Sequence, residues 1–167
     1  QPALDGIFRE FLPGRSAVEL CPQELFHPET FRRVTFLREG KLSWKAVAEQ
    51  LGGQRQALCI VNSRKSAQAV YRLLDKEGAF HLSTLMYPAH RKAKLKEIRN
   101  RLREGLPCRV VSTTLIEAGV DVDFPAVFRE EAGLDSILQA AGRCNREGKR
   151  SAEQSAVTIF QSETPPP

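Results

Sequence analysis

The chain has 167 residues, 41% of them hydrophobic and 27% charged, a composition typical of one compact globular domain with short extensions. No apolar run approaches the ~18 residues of a membrane-spanning helix, and no signal peptide opens the chain, so we expect no membrane partner. The formal net charge of +5 favours a polyanionic partner. Since the chain starts at Gln1 and ends in three prolines, we expect it to be a fragment of a longer protein.

The cysteines carry no metal-binding or disulfide signature. Cys21, Cys59, Cys108 and Cys144 form no Cys-x-x-Cys pair, and no histidine lies beside them at metal-ligand spacing. Cys59 and Cys108 lie in apolar runs, where a thiol behaves as a small hydrophobic group. We therefore expect reduced, structural cysteines in a cytoplasmic protein, and no metal site.

Residues 1–53 are the less regular part of the chain, and we expect them to be a lead-in to the main domain. Residues 34–37 predict a strand that enters a hairpin at Glu39 and Gly40. Ser43 can cap a following helix, which the two glycines at 52 and 53 would close.

From residue 57 the pattern becomes regular. The apolar run at 57–61 predicts a strand that is buried on both faces of a parallel sheet. After it, the pattern predicts helices over 65–76 and 89–104, strands over 80–86, 108–112 and 126–129, a helix that starts near Asp135, and a last strand over 156–160.

This alternation of strands and helices predicts an α/β domain of three layers, with a mostly parallel sheet and helices on both faces. We expect the domain to span 54–162, with a Pro-rich linker starting at 163–167. Since ligands gather at the carboxyl ends of parallel strands, functional residues should lie in the loops after Val61, Met86, Ser112 and Arg129.

The strongest chemical signal lies between residues 134 and 148. On a predicted helix, Gln139, Arg143 and Arg146 stand at i, i+4 and i+7 and therefore share one face, with Ile137, Leu138 and Ala141 on the buried side. Two guanidiniums and an amide on one face suit phosphate oxygens. The alternative is a solvated polar face.

Two motifs carry a resemblance to a known family. The pattern Gln-x-x-Gly-Arg-x-x-Arg from Gln139 to Arg146 resembles motif VI of superfamily 2 helicases, and residues 112–123 resemble their motif V. The run from Pro88 to Gly148 is similar to the CRISPR-associated helicase–nuclease of type I systems. The resemblance covers roughly residues 57–150 and implies the second RecA-like domain of such an enzyme.

The resemblance also implies roles for individual residues. Arg143 and Arg146 would reach the γ-phosphate of ATP, with Arg146 as the arginine finger, and Gln139 would orient them or contact the nucleotide. Glu117, Gly119 and Asp121 would lie beside the nucleotide. The nucleic-acid contacts would come from Asn62, Ser63, Arg64, Lys65, His90, Arg91 and Thr113, while the role of Thr114 stays open.

The basic stretch at 91–103 predicts mainly a solvated helix face, of which only the end near His90 should meet DNA. Aromatic residues are not interleaved in that stretch, so the sequence predicts contacts to the DNA backbone and no base stacking.

The chain lacks a Gly-x-x-x-x-Gly-Lys-[Ser/Thr] phosphate loop and a His-Asp nuclease dipeptide. The family resemblance therefore places the phosphate loop and the Mg²⁺ ligands on a first RecA-like domain of the same parent chain, and implies single-stranded DNA and an RNA-guided surveillance complex as further partners. We expect the fragment alone to be inactive as an ATPase. Two alternatives stay open: a superfamily 2 DNA or RNA helicase outside CRISPR systems, and a non-catalytic α/β module that binds nucleic acid or a protein.

Overall fold

The computed structural model describes residues 32–116 and 120–163. Its centre is a six-stranded sheet in which every paired strand runs parallel to its neighbour, in the order β1-β6-β5-β2-β4-β3. The strands are β1 (Thr35–Leu42), β2 (Gln56–Ile60), β3 (Ala79–Leu82), β4 (Cys108–Ser112), β5 (Ala126–Glu130) and β6 (Ala156–Ser162).

Helices cover both faces of this sheet. They are α1 (Trp44–Gly52), α2 (Arg64–Leu73), α3 (Pro88–Arg103) and α4 (Leu134–Ala141), with short 3₁₀ turns at Thr114–Ile116 and Ala152–Gln154. Side chains of α1 and α2, among them Leu51 and Val70, form one apolar core with one face of the sheet. Ile98 of α3, Ile116 and Ala140 of α4 belong to the core on the other face. The predicted three-layer α/β fold is confirmed.

Local sequence explains where several elements begin and end. The Ser43 hydroxyl accepts the Ala46 N–H at 3.2 Å and caps α1, as predicted. All residues of β2 are buried, which agrees with its continuous apolar run in the centre of a parallel sheet. Pro88 occupies the first turn of α3, where its missing N–H costs no hydrogen bond. Gly78 has φ +66, and a Cβ there would lie 2.2 Å from the Pro107 carbonyl oxygen, so only glycine fits.

The predicted hairpin at Glu39 and Gly40 is wrong. β1 continues through both residues and pairs with β6 in parallel, with a register shift between Arg38 and Lys41 that is a β-bulge. The sequence pattern was ambiguous because a glycine in a strand can mark either a bulge or a turn. The local pattern also gave no sign of the partner strand, which lies more than a hundred residues away in sequence. The strand predicted over 80–86 is also shorter, because the chain turns at Ser83, whose hydroxyl accepts the Leu85 N–H.

The described residues from 32 onward form one compact unit, in which β1 belongs to the sheet and α1 packs against it, although both fall within the predicted lead-in. The predicted domain limits at 53 and 162 stay predictions.

None of the helices among the described residues is long and apolar enough to cross a membrane. Cys59, Cys108 and Cys144 are free and buried, and burial raises the pKa of Cys108 and Cys144 to about 12. Cys21 lies outside the described residues.

Candidate functional site

The helix that was predicted to carry Gln139, Arg143 and Arg146 on one face ends before both arginines. α4 stops at Ala141, and Gly142 caps it by donating its N–H to the Leu138 carbonyl at 2.9 Å. Gln139 is exposed on the helix, whereas the two arginines lie in the loop that follows. The shared helical face is therefore wrong, because glycine has a low helix propensity and the loop after Gly142 is held by Arg33 and Asp123.

The loop over residues 143–150, here called the arginine loop, is shaped by Asn145. Asn145 is fully buried and has a positive φ of 45°, which asparagine tolerates better than most residues. Its side-chain amide donates to the carbonyls of Arg33 (2.8 Å) and Arg150 (2.7 Å), and its side-chain oxygen accepts the Arg150 N–H at 3.0 Å. Asn145 thus joins both ends of the loop to the residues that lead into β1.

The backbone of Arg146 is held on both sides, while its side chain reaches the surface. Its N–H donates to the Asp123 carboxylate at 2.7 Å, and its carbonyl accepts from the Arg33 guanidinium at 2.8 Å. The Arg146 Nε lies 3.2 Å from the Asp121 carboxylate, and the two side chains are 45% and 79% exposed. This geometry fixes the base of the arginine and leaves its guanidinium accessible to a ligand.

Arg143 is the buried member of the pair. Its Nε donates to the Ile116 carbonyl at 3.2 Å, a contact that ties the arginine loop to the segment after β4. Burial lowers the pKa of the Arg143 guanidinium, the neighbouring charge of Arg146 lowers it further, and Asp121 raises it. Two close guanidiniums beside one nearby carboxylate make a local surplus of positive charge, which suits an anion.

The arginine loop lies at the amino ends of the strands, not at the carboxyl ends where functional residues were expected. The Cys144 thiol contacts the carbonyls of Pro125 and Ala156, where β5 and β6 begin. Asp121, which precedes β5 in the chain, pairs with Arg146 at this end of the sheet. A cleft of about 460 Å³ opens beside it, lined in part by Arg99, Asp121, Asp123 and Arg150.

Part of the predicted nucleotide site lies outside the described residues, namely Glu117 and Gly119. The predicted buried side of the helix also needs correction, because Leu138 is 53% exposed and Ala140 takes the buried position. Within the described ranges, no group of three or more His, Cys, Asp or Glu side chains could hold a metal ion.

The predicted nucleic-acid residues gather at the carboxyl ends of three neighbouring strands. Ser112 of β4 is in register with Ile60 of β2 and with Leu82 of β3, so the residues after these strands lie side by side. We call the surface formed by residues 62–65, 83–91 and 113–114 the carboxyl-end surface. It brings together the seven predicted residues Asn62, Ser63, Arg64, Lys65, His90, Arg91 and Thr113.

The side chain of Asn62 is engaged within the protein. Its oxygen accepts from the buried Arg129 at 2.7 Å, and its amide donates to the Glu131 carbonyl at 2.9 Å. Its backbone N–H donates to the Glu130 carboxylate at 2.6 Å. Asn62 therefore shapes the turn between β2 and α2, which is a common use of asparagine at a strand end.

Ser63 is likewise used for structure, because its hydroxyl accepts the Ser66 N–H at 3.0 Å and caps α2. Arg64 and Lys65 are exposed in the first turn of that helix. Thr113 is buried at the end of β4, whereas Thr114 is exposed. His90 is exposed in the first turn of α3, and its ring lies 6.0 Å from the ring of Tyr87.

Sequence reasoning missed four residues that organise these sites: Arg33, Asp123, Arg129 and Asn145. Arg33 and Asp123 both form hydrogen bonds with the backbone of Arg146, which lies 113 and 23 positions away along the chain, so no local pattern indicates them. Arg129 sits in an apolar strand, and its burial depends on the carbonyl oxygens that surround it. Only Asn145 had a local signal, because asparagine next to a glycine-containing loop favours positive φ.

Comparison with known proteins identifies the family and the fold of the chain. The family model described as CRISPR-associated nuclease/helicase Cas3, C-terminal, matches residues 53–149, which is more than half of the chain. The curated protein of that name from Haloferax volcanii is 61% identical over 41 residues, covering 25% of this chain and 4% of that protein. The one from Methanothermobacter thermautotrophicus is 28% identical over 107 residues, covering 60% of this chain and 13% of that protein.

The chain therefore spans a small part of these curated relatives. Among solved structures, the crystal structure of T. fusca Cas3-ATP superimposes with a TM-score of 0.66 at 20% identity, over 78% of this chain and 18% of that one. At this identity the likeness shows a shared RecA-like fold. Because the family model matches more than half of the residues, the chain belongs to the C-terminal family of the CRISPR-associated nuclease/helicase Cas3.

Proposed function

We propose that this chain is the second RecA-like half of an ATP-dependent single-stranded-DNA translocase or helicase that acts in type I CRISPR interference. A first RecA-like domain in the same parent chain would supply the phosphate loop and the Mg²⁺ ligands. The family membership and the RecA-like fold support a helicase parent, and the arginine loop supports a role for this half at the nucleotide.

The observation that carries the proposal is the contrast between the fixed backbone of Arg146 and its accessible guanidinium. Asp123 and Arg33 hold the backbone, so the base of the side chain is already in place when the guanidinium binds a ligand. The contact with Asp121 is an exposed ion pair, a type that contributes only about 0–1 kcal/mol. A γ-phosphate, which has a greater charge than a carboxylate and three acceptor oxygens, would displace Asp121 as the partner of the Arg146 guanidinium.

Arg143 complements Arg146 from a buried position. Its hydrogen bond to the Ile116 carbonyl anchors it next to the segment that carries Asp121, and its charge adds to the field at the guanidinium of Arg146. In phosphoryl transfer, such fixed positive charge stabilises the charge that develops on the transferring group. Both arginines therefore suit the phosphates of a nucleotide.

Single-stranded DNA would bind the carboxyl-end surface. α2 and α3 both begin at this edge of the sheet, and helix amino ends attract phosphate through their N–H groups and dipole. Exposed Arg64 and Lys65 add charge at the same edge. Closure of the two RecA-like halves around ATP would then move this surface along the strand. Delivery by an RNA-guided surveillance complex and a cytoplasmic location complete the proposal.

The test is single-stranded-DNA-stimulated ATP hydrolysis by the full-length protein, wild type against Arg146→Ala. We expect a loss on the order of 10³-fold in kcat with DNA binding retained, because the finger acts on the transition state. Lys149→Ala is the matched control: it removes an exposed cation three positions along the same loop, one that pairs with Glu147. It should leave turnover unchanged.

Equal turnover in Arg146→Ala and wild type would contradict the finger assignment. It would favour the alternative hypothesis of a non-catalytic module that binds nucleic acid through the basic carboxyl-end surface. Helicase activity without dependence on a CRISPR surveillance complex would favour a superfamily 2 helicase of another pathway.

A further inference from the structure

The turn between β3 and α3 presents apolar and aromatic side chains to solvent at the carboxyl-end surface. Leu85 is 75% exposed and Tyr87 is 69% exposed, and the imidazole of His90 lies 6.0 Å from the Tyr87 ring at an interplanar angle of 47°. The sequence had predicted no base stacking, because the basic stretch that begins at Arg91 contains no aromatic residue. Tyr87 lies just before that stretch.

The backbone beneath these side chains is fixed. Ser83 is buried, its hydroxyl accepts the Leu85 N–H at 3.2 Å, and its carbonyl accepts the Met86 N–H at 3.1 Å. Pro88 then restricts φ at the start of α3. Leu85 and Tyr87 are therefore held outward by a preorganised turn, so binding a ligand there requires little ordering of the chain.

The neighbouring charges identify the kind of ligand. Arg91 and Lys92 follow in the first two turns of α3, and Arg64 and Lys65 lie at the same edge of the sheet, after β2, which β4 separates from β3. An apolar protein surface would pack against the aromatic side chains but would offer no negative charge to these cations. A nucleic-acid strand satisfies both, because it offers phosphates to the cations and flat bases to the rings.

We propose that Tyr87, flanked by Leu85 and His90, stacks on a base of the single strand at the carboxyl-end surface. This inference rests on the proposed function and deepens it, since it adds a contact to bases where only contacts to phosphates were expected. Stacking needs a π-face that every base has, so the contact holds the strand without reading its sequence.

The experiment measures binding of the full-length protein to oligothymidine and to an abasic strand of equal length, at low and moderate salt. Tyr87→Ala should weaken binding to oligothymidine about tenfold at both salt concentrations and leave binding to the abasic strand unchanged. Tyr87→Phe keeps the ring and should bind as wild type does.

Two other variants serve as references. Lys65→Ala should weaken binding to both strands and lower the slope of log K against log salt by about 0.7, as expected for one lost phosphate contact. Leu73→Ala removes an exposed apolar side chain at the opposite end of α2 and should change neither strand's affinity.

Equal weakening of both strands by Tyr87→Ala would overturn the stacking contact, and so would unchanged affinity. Unchanged affinity with a lowered Tm would show that Tyr87 packs against another part of the full-length protein. If wild type bound neither strand, the proposed function itself would fail.

Discussion

In the arginine loop, the backbone of Arg146 is held by residues that are distant in sequence, whereas the two turns that carry Ser63 and Ser83 at the carboxyl-end surface are held by near neighbours. Asn145 binds the Arg33 carbonyl across 112 positions, and Arg146 binds Asp123 across 23. At the other surface, Ser63 caps α2 through Ser66, and Ser83 shapes its turn through Leu85. The arginine loop thus depends on the tertiary structure, whereas the carboxyl-end surface combines local turns with the long-range contacts that Asn62 makes to Arg129 and Glu130.

This difference follows from the roles that we propose. A group that stabilises a transition state must be held in position, because a misplacement of about 1 Å can cost 10²-fold in rate. A surface that moves along a polyanion needs accessible charges and tolerates some freedom. Substitutions of residues that hold the backbone of the arginine loop should therefore disturb both stability and catalysis, while those at the carboxyl-end surface should separate stability from DNA affinity.

The largest stability effect should come from Asn145→Ala. The change removes three hydrogen bonds in a buried site and places alanine at positive φ, so we expect a loss of about 3 kcal/mol in unfolding free energy. Asn145→Gly removes the same hydrogen bonds without the backbone strain and should recover about 1 kcal/mol of that loss.

Denaturant unfolding of the chain measures both changes. Thr35→Val is the control, because its hydroxyl donates to the Ala152 carbonyl near the same place but not to the arginine loop. If Asn145→Ala cost no more than Thr35→Val, the arginine loop would not depend on Asn145. In the full-length protein, Asn145→Gly should also lower kcat more than it raises KM, since the Arg146 backbone loses its support.

A smaller effect is expected from Ser63→Ala at the carboxyl-end surface. Loss of the cap on α2 should cost about 1 kcal/mol in unfolding free energy, with DNA affinity nearly unchanged. Unfolding and DNA-binding measurements on the same variant check this separation. The opposite result, intact stability with weakened DNA binding, would mean that the Ser63 hydroxyl contacts a phosphate directly.

The smallest effect concerns pH and His81, which belongs to neither surface. Burial lowers the pKa of His81, and its Nε2 is buried without a hydrogen-bond partner while its ring stacks on Tyr71. In the unfolded chain this histidine takes up a proton near pH 6.5, whereas in the folded chain it does so only at lower pH. Between those values the unfolded state binds more protons, so stability is complete above pH 6.5 and falls as the pH drops.

Unfolding free energies at about pH 7.5 and 5.5 test this expectation. His81→Phe retains a ring against Tyr71 and removes the buried nitrogen, so it should lose less stability over that interval than wild type does. An equal loss in both proteins would show that other groups cause the pH dependence.

Much of the fold was predictable because its signals are local. The apolar run of β2, the Ser43 cap of α1, and Pro88 and Gly105 at the two ends of α3 act through neighbours within a few residues. The motifs around Asp121 and Arg146 predicted that both belong to one site, and the structure brings their side chains to 3.2 Å. Their roles at ATP remain predictions.

The sequence by itself determined the alternation of strands and helices, the parallel sheet and the family to which the chain belongs. Only the tertiary structure decided that β1 joins β6 instead of turning back in a hairpin, and that Arg143 and Arg146 leave the helix for a loop held by Arg33 and Asp123. The physical reason is range: propensities and caps act over a few residues, whereas the hydrogen bonds that shape this loop join segments that meet only when the sheet has formed.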